Sequence, residues 1–166
     1  MITILSSFKP FEGDDAVRQR NALASWRALG PDIEIMAFAP PEGLGEVARE
    51  YAIKQVFDLP AFEGRLPRVD TFLAHGREHG RHDIQMYVNG DILLFPDFAD
   101  VIWKIRLPRW IAIGQRTDVD VLEELTFGDA GTALRDKLFS LGQLHDIGGI
   151  DYCAWVIRIR RPHTTL

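Results

Sequence analysis

Apolar positions along the chain fall into short continuous runs separated by stretches in which they recur every three to four residues. Thr3 to Phe8 is an apolar run suited to a buried strand. A polar loop, Lys9-Pro10-Phe11-Glu12-Gly13, follows it, and Asp14 and Asp15 offer an N-cap and first-turn acids for a helix. Ala22, Leu23, Trp26 and Leu29 lie at helical spacing, and Gly30-Pro31 stops the helix. Ile33 to Phe38 predicts a second strand ended by Pro40-Pro41, Leu44 to Tyr51 a short helix, and Gln55 to Phe57 a small third strand. After a loop with Gly64 and Pro67, residues Val69, Phe72, Leu73 and Gly76 mark one face of a third helix closed by Gly80. Ile84 to Val88 reads as a fourth strand running into Asn89-Gly90-Asp91. Phe98, Val101, Ile102 and Ile105 form a helix face, and Trp110 to Ile113 a fifth strand leading to Gly114-Gln115-Arg116. A last helix is expected from about Ala130 to Phe139, and Tyr152 to Arg160 alternates weakly, as an edge strand would.

Strands alternating with helices predict βαβ units: an α/β fold with a mainly parallel central sheet and flanking helices. Such sheets bind ligands beyond the carboxyl ends of their strands. The loops after strands one, four and five are therefore the places to look for chemistry. The 166 residues suit a single domain with one sizeable core.

Composition narrows the function classes. Hydrophobic residues make up 46% and charged residues 26%, as in an ordinary globular protein. The net charge of −5 speaks against a nucleic-acid binder; the one dense basic run is Arg158, Arg160 and Arg161. Cys153 is the only cysteine, so no intrachain disulfide forms, which fits a cytoplasmic location. The start, Met1-Ile2-Thr3-Ile4-Leu5, lacks the basic and long apolar regions of a signal peptide, and no stretch is long enough for a transmembrane segment.

The sharpest motif is Tyr87-Val88-Asn89-Gly90-Asp91-Ile92. A buried strand delivers Asn89 and Asp91 two positions apart, so both side chains can face one side of extended chain. Gly90 removes the side chain that would obstruct a ligand. Amide and carboxylate oxygens suit a hard divalent cation such as Mg²⁺ or Mn²⁺. The alternative is that Asn89-Gly90-Asp91 is only a turn, although the apolar residues from Ile92 to Phe95 argue against a simple hairpin tip. No P-loop, G-x-S-x-G elbow or completed G-x-G-x-x-G is present. His75 and His79 share the i, i+4 spacing of a zinc helix but have Gly76 where the H-E-x-x-H pattern has Glu. Cys153 reads as a small apolar residue.

Four segments together carry a family resemblance. Tyr87-Val88-Asn89-Gly90-Asp91-Ile92 looks like a variant of the D-x-D motif of GT-A-type glycosyltransferases, the nucleotide-diphospho-sugar transferases with a Rossmann-like fold. Gln19-Arg20-Asn21-Ala22-Leu23-Ala24-Ser25-Trp26 is similar to a Q-R-N-A-x-x-S-W segment of bacterial glycosyltransferase-like proteins. Gly114-Gln115-Arg116-Thr117-Asp118-Val119-Asp120 is similar to their G-x-R-x-D-x-D segment, and Gly149-Ile150-Asp151-Tyr152 to a G-x-D-Y segment near their acceptor side. The matches run in order from about Thr3 to Tyr152. Two departures stand out. Asn89 replaces the first acid of D-x-D, removing one negative charge, and the chain stops at Leu166, soon after Asp151, where full enzymes continue into an acceptor-binding part.

The resemblance implies sugar transfer from a nucleoside diphosphate sugar to a hydroxyl acceptor. Asp91 and Asn89 would hold Mn²⁺ or Mg²⁺ at the diphosphate. Arg20, Asn21 and Arg116 would contact the nucleotide sugar, with Arg20 or Arg116 adding a second positive charge. Asp151 would be the base that takes the acceptor's proton in an inverting reaction. For Arg20 the ordinary alternative is a solvated helix face; for Arg116 it is an ion pair with Asp118 or Asp120; for Asp151 it is a loop-capping role. The competing functions are a nucleotide-sugar-binding module without turnover and a nucleotidyltransferase. The latter wants a glycine-rich basic loop after strand one, which Ser6-Ser7-Phe8-Lys9-Pro10-Phe11 is not.

Overall fold

The computed structural model describes residues 2–57, 59, 68–128 and 131–157. Six strands form one sheet: β1 (Ile2–Ser7), β2 (Ile33–Phe38), β3 (Lys54–Val56), β4 (Ile84–Val88), β5 (Ile111–Gly114) and, near the end of the described chain, β8 (Tyr152–Val156). A two-stranded ribbon, β6 (Thr117–Asp118) with β7 (Gln143–Leu144), stands beside it. Five helices are seen among the described residues: α1 (Gly13–Ala28), α2 (Leu44–Glu50), α3 (Val69–His79), α4 (Pro96–Lys104) and α5 (Gly131–Leu141).

The sheet order is β3-β2-β1-β4-β8-β5. The pairs β2–β3, β1–β2 and β1–β4 are parallel, and β4–β8 and β8–β5 are antiparallel. The fold is therefore α/β with a mixed, mainly parallel sheet. The four parallel strands start with the βαβ crossovers that the alternating pattern predicts.

The expected edge strand at Tyr152 is corrected. β8 lies inside the sheet, between β4 and β5, and the outer strand is β5. The reason is legible in the side chains. Tyr-Cys-Ala-Trp-Val is apolar on both faces, as an interior strand requires, and Ala154 is fully buried. The outward Ile111 and Ile113 of β5 stay exposed. Arg158 to Arg160, expected to continue the strand, lie outside the described residues. The β6–β7 ribbon was not anticipated, because two-residue strands carry no periodicity.

Each sheet face has its own core. Ile2, Ile4, Ile33, Ile35, Met86 and Ala154 face Leu23 and Trp26 of α1, Leu44 and Val47 of α2, and Ala99 and Ile102 of α4. On the other face Leu5, Met36, Phe38 and Val56 meet Phe72 of α3, which stacks on Phe38 with ring centroids 4.5 Å apart. Gly76 of α3 sits where a Cβ would come within 2.6 Å of Leu5, so this helix approaches the sheet closely because it has glycine there. Among the described residues no helix is long and apolar enough to cross a membrane.

α1 begins at Gly13, with Glu12 in extended conformation at the cap position and no side-chain cap. Asp14 and Asp15 are thus first-turn acids rather than caps, and they favour the helix through its dipole.

Candidate functional site

The C-terminal ends of β1 and β4 and the start of β8 open onto one cleft of about 1070 Å³. This is the position that parallel α/β sheets reserve for ligands. The chain leaves β4 in a turn, in which the Ile92 amide donates to the Asn89 carbonyl at 3.2 Å. The turn alternative is therefore met in part, but the chain runs on into α4 rather than back along the strand. Gly90 is required by space: a Cβ would stand 2.7 Å from both Phe8 Cδ1 and the Ser7 carbonyl oxygen. Ser6 Oγ fastens the same point by donating to the Val88 carbonyl at 2.7 Å.

Asn89 and Asp91 both line the cleft. Asn89 is tied to Asp151 twice: its backbone amide donates to the Asp151 carbonyl at 3.2 Å, and Nδ2 donates to Asp151 Oδ1 at 3.2 Å. That orientation leaves the amide oxygen of Asn89 without a partner among the described residues. The exposed Asp91 carboxylate likewise accepts no hydrogen bond from them. Two unengaged oxygen donors on one turn are the chemistry a hard cation takes when it shares phosphates and waters to complete its shell. No group of three or more His, Cys, Asp or Glu side chains among the described residues forms a closed cage.

Asp151 is only 3% exposed. Its Oδ1 accepts from Asn89 and, at 2.5 Å, from Nη1 of Arg116. Its Oδ2 is buried and has no hydrogen-bond partner among the described residues. An unsatisfied buried carboxylate oxygen is costly and needs an explanation, and a ligand group is one of the few available.

Arg116 organises the rest. Nε donates to Asp118 Oδ1 at 2.6 Å, and Nη2 lies 3.1 and 3.2 Å from the two ring nitrogens of His145. His145 Nδ1 is 2.6 Å from Asp118 Oδ2. The carboxylate can only accept, so His145 Nδ1 is the donor to Asp118. The hydrogen bonds from His145 and from Arg116 hold the Asp118 carboxyl below its ordinary value. The bonds to Asp118 and Asp151 hold the Arg116 guanidinium charged, raising its value. The expected ion pair of Arg116 with Asp118 is present, and it coexists with the bond to Asp151 rather than replacing it. Asp120 pairs instead with Arg18 at 3.2 Å.

The Q-R-N-A-x-x-S-W segment proves to be a set of struts. Gln19 clamps the backbone of Lys9, accepting from its amide at 2.7 Å and donating to its carbonyl at 3.1 Å. Asn21 holds the loop after β6 by donating to the Glu123 carbonyl and accepting from the Leu125 amide, both at 2.8 Å. Ser25 accepts from the Leu94 amide at 3.0 Å, and Trp26 Nε1 donates to the Ile92 carbonyl at 2.8 Å. One buried helix face thus fixes three of the loops around the cleft.

The structure brings Asn89, Asp91, Arg116 and Asp151 together, with Asn21 at the same cleft. Both ends of the Asn21 amide are engaged by backbone, so its place there is as a support. Arg20 is not brought in: it faces α2, where it bonds Glu50 at 2.7 Å, and that bond raises its already high value. Sequence reasoning passed over Lys9 and Arg18, which line the cleft, and His145, which buttresses Arg116. Position after the first strand pointed toward Lys9, while nothing in the sequence joins His145 to Arg116. His75 and His79 pack on α3 with ring centroids 4.4 Å apart, and His75 also meets Phe38 edge-on on the sheet face opposite the main core. Burial pushes the Cys153 thiol up, so it is held in its unreactive form.

Comparison of the chain with protein-family models and with curated proteins gives no match.

Proposed function

We propose that the cleft binds a nucleoside diphosphate sugar and transfers its sugar to a hydroxyl acceptor, on a sheet of GT-A type. What supports this is one convergence. The Asn89-Gly90-Asp91 turn at the end of β4 presents two oxygen donors that no described residue engages, and it is hydrogen-bonded to a buried aspartate with one oxygen unsatisfied among the described residues.

Asp91 and the Asn89 amide oxygen would hold Mn²⁺ or Mg²⁺, whose chemistry is to neutralise the charge that gathers on a leaving diphosphate. With Asn in place of the first acid, the protein contributes a single negative charge, so cation and nucleotide bind best together. Arg116 stands at the same cleft with its charge already shared by Asp118 and Asp151, so its part is to hold the Asp151 carboxylate in place rather than to serve as a free cation for the diphosphate. Asp151 takes the acceptor proton on Oδ2, since Oδ1 is already held by Arg116 and Asn89. Because Oδ2 is buried, the acceptor must displace its surroundings before a proton can move. Asn21 and Gln19 position the loops and stay out of the chemistry.

The same burial favours a second reading, a module that binds the donor without turnover. Release of nucleoside diphosphate from a panel of donor sugars in the presence of Mn²⁺ separates the two. Metal-dependent release that Asp151→Asn abolishes supports transfer. Donor binding with no release supports the module. Absence of both binding and release removes nucleotide sugars as ligands.

A further inference from the structure

The cleft is chemically two-sided in its lining. Asn89, Asp91 and Asp151 make its polar part. Val101 of α4, Phe139 and Leu141 at the end of α5, and Leu144 of β7 also line it, and each of these four is more than half exposed. Single exposed apolar side chains are ordinary on a protein surface. Four gathered into one concavity from three elements separate in sequence are a binding feature. The volume, about 1070 Å³, lies just above the roughly 300–1,000 Å³ of small-molecule pockets. The charged diphosphate gains nothing from an apolar wall, and although a nucleobase or sugar face can stack on Phe139, the aliphatic Val101, Leu141 and Leu144 offer no aromatic surface for it.

We infer that the acceptor is an amphiphile, with its hydroxyl head at Asp151 and an aliphatic chain laid over Val101, Phe139, Leu141 and Leu144. The head-group part rests on the sugar-transfer reading; the chain part stands on the apolar lining alone. In the transfer the acceptor O–H gives its proton to Asp151 Oδ2, and its oxygen bonds to the anomeric carbon. The bond from that carbon to the phosphate oxygen breaks, with the electron pair leaving on the nucleoside diphosphate.

The test is a titration of the full chain with methyl, hexyl and octyl β-D-glucoside below micelle-forming concentrations, without donor or metal. If the chain is buried, affinity rises by about fourfold per methylene at most. Leu141→Gln, Leu144→Gln and Val101→Gln, each on a different element, flatten that rise, while Ile111→Gln on the outer strand leaves it intact. Equal affinity across the three glucosides overturns the inference. So does a rise that survives in all three cleft variants, or binding to phosphatidylglycerol vesicles with none to the monomeric glucosides, which would make the patch a membrane contact. A Mn²⁺-dependent thermal shift with donor sugars on the same preparation keeps the two readings apart. A chain-length rise without that shift upholds the apolar site and overturns sugar transfer; the shift without the rise does the reverse.

Discussion

Arg116 donates through Nη1 to Asp151 Oδ1 at 2.5 Å and through Nε to Asp118 Oδ1 at 2.6 Å. One guanidinium therefore neutralises a buried carboxylate and is itself steadied by an exposed one. The planar fork makes this possible, because its donors point in fixed and different directions. The backbone repeats the link, since the Asp151 amide donates to the Gly114 carbonyl at 3.4 Å and the His145 amide to the Arg116 carbonyl at 2.9 Å.

Replacing Arg116 with Met keeps the volume and leaves Asp151 buried without its cation. The expected loss is about 3 kcal/mol of folding stability, at the low end for a broken buried pair because Arg116 is partly exposed. Arg116→Lys recovers only part of it, because one ammonium cannot reproduce the fork. Urea unfolding of the three proteins checks the order.

Asn21→Leu removes two hydrogen bonds that hold residues 123–125 against α1. The cost is about 2 kcal/mol, with the Glu123 carbonyl and Leu125 amide left in search of partners. Hydrogen exchange at Leu125 speeds up, and donor affinity falls through the loosened loop. Asn21→Asp keeps the acceptor for Leu125 and preserves more of that amide's protection.

Gly90→Ala places a Cβ 2.7 Å from Phe8 Cδ1 and the Ser7 carbonyl. Backbone must shift to admit it, at about 1–3 kcal/mol. The turn carrying Asp91 moves with it, so the metal-dependent response should weaken more than stability does. A melting curve and a Mn²⁺ titration of the same variant compare the two effects.

His145 and Arg116 together depress the Asp118 carboxyl. A depressed folded-state value means the carboxylate contributes stability above the unfolded value of about 3.9, and that contribution fades as pH falls through the lower folded value. Carbon NMR of the Asp118 carboxyl should titrate below that ordinary value. His145→Ala should move the midpoint upward without restoring it completely, because Arg116 still bonds the same carboxylate. An unchanged midpoint in the variant would remove His145 from the cluster.

Strands and helices were legible wherever apolar period and punctuation agreed. The first two strands, the helix from Val69 to His79 and the strand entering Asn89 follow the pattern closely, because buried runs and Gly-Pro stops act locally. The inner place of β8 was missed because Arg158 and Arg160 lend the whole segment a weak alternation, whereas Tyr152 to Val156 are apolar on both faces. The cleft positions of Asp91 and Arg116 followed from strand ends, whereas Asp151, which precedes its strand, was singled out only by the resemblance of Gly149-Ile150-Asp151-Tyr152. What no local pattern could supply was the partner of each polar side chain. Arg20 and Asn21 are neighbours on α1, yet helical rotation sends one to Glu50 and the other to Glu123 and Leu125. His145 reaches Arg116 only through the β6–β7 ribbon, whose two-residue strands leave no trace in the sequence.

The central claim is a divalent cation held at the Asn89-Gly90-Asp91 turn together with a nucleotide sugar. A thermal-shift panel of nucleoside diphosphate sugars, with and without Mn²⁺, tests it directly, since stabilisation grows with the ratio of ligand concentration to Kd. The predicted result is a Mn²⁺-dependent rise in Tm for one class of donor that vanishes in Asp91→Ala. An equal rise in that variant, or no donor-dependent rise in the unaltered protein, would contradict the account.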